Sequence, residues 1–285
     1  MQTATANPLS KHFRQPKLYI KLPSGGNFYR PGSLVPEQTG EYPVYAMTAK
    51  DELMFKTPDA LLNGQSTVNV IQSCMPNIKD GWAIPSIDID AILIAIRIAT
   101  YGEMMELGVI VKEIDEERSF QLDLRTVLDG LIARQYQNVF QIGDFSFEIA
   151  PMVYKKFTEI ALKTFEEQRL FRIVNDDSMS ETDKITQFNE AFVRVTELNI
   201  SNILNSIVSI QFQDEEPVTN KDHIIEFFEN ADKDIYTSLI VHLDEQREKF
   251  AIPPFKARLS PADIERGAPE TIDVPITFDQ SNFFA

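Results

Sequence analysis

A chain of 285 residues with 43% hydrophobic content can bury a core, so disorder throughout is excluded; its length falls between one large domain and two ordinary ones. A formal net charge of −16 argues against a nucleic-acid role, because grip on a phosphate backbone rests largely on lysine and arginine. One cysteine, Cys74, leaves no partner for an intrachain disulfide and no thiolate cage for zinc, which fits a reducing cytoplasm.

Residues 1–36 carry Lys11, Arg14, Lys17, Lys21 and Arg30 and no Asp or Glu, against the acidic balance of the whole. The N-terminus lacks the apolar run of a signal peptide. Within this basic stretch "KLYIKL" (17–22) reads as a strand and "PSGGNFYRPGS" as a turn. Residues 1–47 are therefore expected to form an extended arm and strand, lying on an acidic surface of a neighbour or of the chain's own body; the alternative is a flexible terminus.

"EYPVYAM" (41–47) reads as a strand, after which Thr48 caps a helix through Lys56 with Asp51 at the capping-box position. Pro58 restarts a helix at "PDALLNG", and Gln65–Met75 forms another that Pro76 stops, with Cys74 on its apolar face as a core residue. "SIDIDAILIAIRIATYG" (86–102) is the most apolar segment. Its uncharged centre falls far short of the roughly 20 residues a bilayer needs, so it reads as a buried helix. Ser86 is placed at its N-cap, and Asp88 and Asp90 in its first turn, where the helix dipole favours carboxylates. A metal site is not expected there, since no histidine is near and residues two apart do not share a helix face. Arg97 either snorkels to the surface or meets an acidic group within or between subunits.

Alternating runs predict a hairpin at 107–123, a helix at 125–135, and a second hairpin about Gly143–Asp144, completing an α+β domain over 48–150. From Pro151 the period becomes helical. One helix is expected to about Ile173, a second from a Ser180/Asp183 cap toward Phe212, and others from near Thr219 and Asp232, making 151–252 a helical region. The proline-bearing segment 253–285 reads as an extended tail whose Phe278, Phe283 and Phe284 fold back or dock into a partner. The expected class is α+β, predominantly helical: small antiparallel hairpins, a helical C-terminal half, and extended segments at both ends.

Three histidines, His12, His223 and His242, fall in no metal-binding spacing, and no nucleophile elbow, P-loop or dinucleotide turn is present. No enzymatic activity, cofactor or metal is expected. Three phrases, "KLPSGGNFYRPGS" (21–33), "EYPVYAMTAKDELMFKTPDALLNGQSTVNVIQSC" (41–74) and "IDIDAILIAIRIATYG" (87–102), carry a resemblance in their order and spacing. Together they resemble the baseplate hub and hub-assembly protein family of T-even-type contractile-tailed bacteriophages, over about residues 17–130.

That resemblance implies a structural component in the hub region of the tail baseplate, working through protein contacts. A transient hub-assembly chaperone is the alternative, and a tail-tip cell-wall hydrolase the third reading. The implied partners are other baseplate, hub or tail proteins, with a homo-oligomer also compatible, and neither nucleic acid nor a membrane span. The implied location is the virion tail, after assembly in the host cytoplasm. Where the family pattern carries Cys-x-x-Cys in the hairpin, this chain has "VKEIDEERS", so no metal clip is carried over. The residues expected to bind partners are Lys11, Arg14, Lys17, Lys21, Arg30, Arg97, Phe278, Phe283 and Phe284. Removing residues 1–30, or truncating Phe283 and Phe284, is expected to impair incorporation and leave the body folded.

Overall fold

The computed structural model describes residues 7, 9, 12–55, 64–173, 180–276 and 283. The expected "PDALLNG" helix lies outside them, as do Lys11, Phe278 and Phe284. Strand β1 (Pro16–Ile20) alternates with period two, turning Leu18 and Ile20 to the core and Lys17 and Tyr19 to solvent. It pairs antiparallel with β2 (Tyr42–Tyr45), Ile20 opposite Tyr42 and Leu18 opposite Val44. Pro43 lacks an N–H and is tolerated because both strands of a two-stranded sheet are edges. Ile20, Leu22, Tyr42 and Val44 all enter the main core, so this stretch is a wall of the body rather than an extended arm.

Helix α1 (Ala49–Phe55) opens with the predicted reciprocal cap. Thr48 donates to Asp51 Oδ2 from N at 2.8 Å and from Oγ1 at 2.7 Å, and Asp51 N returns a bond to Thr48 Oγ1 at 3.3 Å. Helix α2 (Gln65–Cys74) ends before Pro76 with Cys74 fully buried. Helix α3 (Ser86–Tyr101) runs through the middle of the main core, packed by β1, β2, α2 and α4 (Leu124–Ile132). Its 16 residues span about 24 Å. Its apolarity on every side reflects burial on every side. Among the described residues no helix is long and apolar enough to cross a membrane.

Strands β3 (Met104–Val111) and β4 (Glu116–Asp123) form the first hairpin, in register from Met104 opposite Asp123 to Val111 opposite Glu116. Helix α4 buries Leu124, Leu128 and Leu131 along one stripe. Strands β5 (Val139–Ile142) and β6 (Phe145–Ile149) turn at Gly143, whose φ of +58° suits glycine. Helices α5 (Tyr154–Ile173) and α6 (Glu181–Ser206) pack on each other.

Two expectations about class fail beyond this point. The second long helix does not continue to Phe212: it stops at Ser206, and β7 (Ile207–Phe212) joins β6, with Phe147 opposite Ile210. "IVSIQF" satisfies both a helical and an alternating pattern; its β-branched residues and the open edge of β6 select the strand. Helices α7 (Lys221–Asn230) and α8 (Lys233–Phe250) cover this sheet and close a second core around Phe147, Ile207, Ile224 and Leu239.

The tail is not extended either. Strand β8 (Phe255–Arg258), the short helix α9 (Pro261–Glu265) and β9 (Thr271–Val274) form a small module, Phe255 opposite Val274. It shares a third cluster with Val111 of the hairpin. The fold is mixed α+β rather than predominantly helical, with nine strands in four small antiparallel sheets among the described residues.

Candidate functional site

The Leu22–Ser33 loop is built on the start of α3. Asp88 Oδ1 accepts from Ser24 N at 2.7 Å, and Oδ2 accepts from Ser24 Oγ at 2.6 Å and Tyr29 Oη at 3.0 Å. Asp88 is fully buried; burial pushes its carboxyl up to about 6, against the lowering effect of the Ser24 and Tyr29 hydrogen bonds. Asp88 does fall in the first turn of α3, as expected, but Asp90 lies beyond it and Pro85 rather than Ser86 stands at the N-cap. Neither Ser86 nor Asp88 makes a side-chain cap, and the Asp88 carboxylate points away from the helix amides into the loop. Asp90 is half-buried, and burial alone raises it to about 6.

Backbone geometry completes the lock. Gly25 N donates to Leu22 O at 2.8 Å and Asn27 N to Ser24 O at 3.1 Å, while Gly25 and Gly26 take φ of +65° and +84°. A Cβ on Gly26 would lie 3.0 Å from the Tyr42 hydroxyl, so the turn needs glycine on two counts. Phe28 also takes a positive φ, +67°, a conformation a bulky residue holds only when its surroundings enforce it. Its ring meets Tyr136 edge-on at 5.5 Å, and Tyr136 in turn leans on Phe250 at 6.0 Å. The loop thereby reaches across to the end of α8. Arg30, beside it, stays exposed.

The other residues singled out in the sequence have different fates. Arg14 is turned inward: Nη2 donates to Ser73 O at 2.5 Å and Ser73 Oγ at 2.8 Å, Nη1 donates to Ala46 O, and Asp51 lies 3.5 Å away. It staples the N-terminal segment to α1 and α2. Cys74, next to this cation, has its thiol pushed up to about 12 by burial. Lys17 and Lys21 are exposed on β1 and just beyond it. Phe283 is fully buried within the main core.

Arg97, one turn from the end of α3, is 6% exposed. Its Nη1 donates to Gly102 O at 3.3 Å, and its guanidinium lies 4.8 Å over the Tyr101 ring. Among the described residues the buried Nε–H has no acceptor, and burial lowers the pKa. No carboxylate among the described residues pairs with it.

Sequence reasoning missed a second clamp. Arg118 on β4 grips Asp263 through Nε at 3.1 Å and Nη2 at 2.5 Å, and Nη2 also reaches Glu116 at 2.7 Å. Arg266 meets Glu116 at 2.6 Å, and the two arginines hold Glu116 down to about 2. This network ties the β8–α9–β9 module to the first hairpin. The only available signal was charge type, since Arg118 and Asp263 are 145 residues apart.

Chemistry elsewhere is sparse. Among the described residues no group of three or more His, Cys, Asp and Glu is placed to hold a metal. His242 stacks on Phe140 at 4.0 Å and lies 3.2 Å from Gln137 O. A cavity of about 260 Å³ between α6 and α7 is lined by Ile200, Leu204 and Ile225, with the Lys221 ammonium donated to Ile207 O. The arrangement as a whole displays surfaces and fastens segments together.

A family model described as "T4 bacteriophage base plate protein" matches residues 16–246, from β1 into α8. The matched span contains the Asp88 lock, Arg97 and the first hairpin, and leaves β8–α9–β9 outside. No curated protein and no solved structure matches the chain.

Proposed function

Because the chain belongs to the T4 bacteriophage base plate protein family, we propose that it is a permanent subunit of the hub region of the tail baseplate. It is a structural protein of that baseplate, and its partners are other baseplate proteins. The reading of a hub subunit that docks by charge is carried by one observation. The locked N-terminal segment keeps Lys17, Lys21 and Arg30 in solvent on a chain whose net charge is −16. Exposed cations fixed on a folded segment of an acidic protein favour one orientation against an acidic neighbour and reject others by like-charge repulsion.

Peptide mass spectrometry of purified tails tests this, with a Lys17→Glu, Lys21→Glu, Arg30→Glu variant alongside the wild type. A permanent hub subunit is recovered at fixed stoichiometry with other hub components, and the charge-reversed chain is depleted. Wild-type protein missing from finished tails retires the reading. The high net charge also supports a second one, since strong self-repulsion keeps a chain dispersed in the host cytoplasm. In that case the protein is a transient hub-assembly chaperone, found in assembly intermediates and lost from completed tails.

A further inference from the structure

Arg97 and Arg118 make a controlled comparison within one molecule. In Arg118 the edge formed by Nε and Nη2 is filled bidentately by Asp263, Nε donating to Oδ2 at 3.2 Å and Nη2 to Oδ1 at 2.5 Å. In Arg97 the same edge holds nothing among the described residues: only Nη1 is used, on Gly102 O, and Nε–H is buried without an acceptor there. The Tyr101 face covers the guanidinium plane at 4.8 Å and the Tyr101 hydroxyl is committed to Glu52. Neither Glu52 nor Glu103 pairs with Arg97. A buried donor left unpaired is costly, and a guanidinium fork fits a carboxylate better than any other protein group.

We propose that the Nε–Nη2 edge of Arg97 receives an Asp or Glu carboxylate from a neighbouring baseplate chain. This rests on the baseplate reading. The rim suits such a contact: Tyr101 is 37% and Met104 53% exposed, apolar surface beside a cation that needs water excluded to bind strongly. The carboxylate completes the fork as Asp263 completes that of Arg118, and the aromatic and thioether rim closes over it. The Arg97 contact sets the register of the docked chain, because a bidentate pair tolerates little displacement.

The test supplies Arg97→Met or Arg97→Lys to a phage lacking the wild-type gene. Methionine has a similar length and no charge; lysine keeps the charge and cannot fork. The isolated Arg97→Met protein is expected to melt at or above the wild-type temperature while the yield of infectious phage falls about tenfold or more. Arg97→Lys is expected to fall between. Wild-type yield from Arg97→Met overturns the proposal, as does a drop in melting temperature of both variants in step with yield, which marks a purely structural arginine. A map of the wild-type tail with another chain's carboxylate within about 3.2 Å of Nε and Nη2 supports it. That edge facing solvent in the assembled tail overturns it. Absence of the chain from finished tails removes the permanent-subunit reading alone, and the yield measurements still decide the role of Arg97.

Discussion

Replacing Asp88 with asparagine should change how stability depends on pH more than stability itself. In the folded chain the Asp88 carboxyl is raised from 3.8 to about 6 by burial. The ionised form is therefore disfavoured in the fold relative to the unfolded chain, by about 3 kcal/mol at 1.36 kcal/mol per pH unit. Below the unfolded value both states are protonated and nothing is lost. As pH rises toward 6 the unfolded chain releases the proton first, so stability falls, and above 6 the loss is complete.

Asparagine removes the charge and its desolvation. It also places an NH2 group opposite the Ser24 and Tyr29 hydroxyls, which must rotate to accept, at about 1 kcal/mol for each bond weakened. The net change near neutral pH is small because the two effects oppose. The discriminating quantity is wild-type minus Asp88→Asn unfolding free energy from urea titrations. It should fall by about 3 kcal/mol between about pH 3.5 and pH 7, and this subtraction cancels the parallel contribution of Asp90. A difference that stays flat or rises with pH would refute the reasoning, because the Ser24 and Tyr29 bonds would then outweigh burial.

Arg14→Ala should destabilise the chain by about 2–4 kcal/mol, because it strips donors from Ala46 O and Ser73 and leaves Asp51, 3% exposed, without its cation; a urea midpoint unchanged from wild type would count against it. Phe283→Ala should cost about 3–5 kcal/mol by calorimetry, reversing the expectation that this tail aromatic can be removed with the body intact. Asp263→Ala deletes the partner of Arg118 and the side chain that bonds Ser260 Oγ at 2.6 Å. Hydrogen exchange should accelerate over 255–274 and stay unchanged over β1 and β2; uniform acceleration would mean the module is not separately fastened.

What could be read from the sequence was local. The Thr48/Asp51 cap, the turn at Gly143 and the stop at Pro76 each rest on a few adjacent residues, and the structure has all three. The strand β7 could not be separated from a helix by its own residues, because the deciding partner, β6, lies some sixty positions earlier. The partners of Asp88 were out of reach for the same reason: a carboxylate in a first helical turn has a local explanation, and the Ser24 hydroxyl and amide that claim it are 64 residues away. The basic composition of the N-terminal segment suggested an arm, yet it also contains Leu18, Ile20 and Leu22 at alternate positions, and this face is buried while Lys17 and Lys21 on the other face keep their solvation.

Helix α3 carries two buried charges, Asp88 and Arg97, nine residues apart, which at about 100° per residue places them on opposite sides. Asp88 receives three hydrogen bonds from its own chain, so its acceptor oxygens are occupied within the monomer and serve the loop that holds Phe28. Arg97 has one long bond and an aromatic face. A solitary folded chain would be as stable with an apolar side chain of equal volume at that position, since an incompletely paired buried ion contributes little to stability. The two ends of the helix thus differ: the acceptors of the N-terminal charge are engaged inside the subunit, whereas the buried Nε–H of the C-terminal one has no acceptor among the described residues.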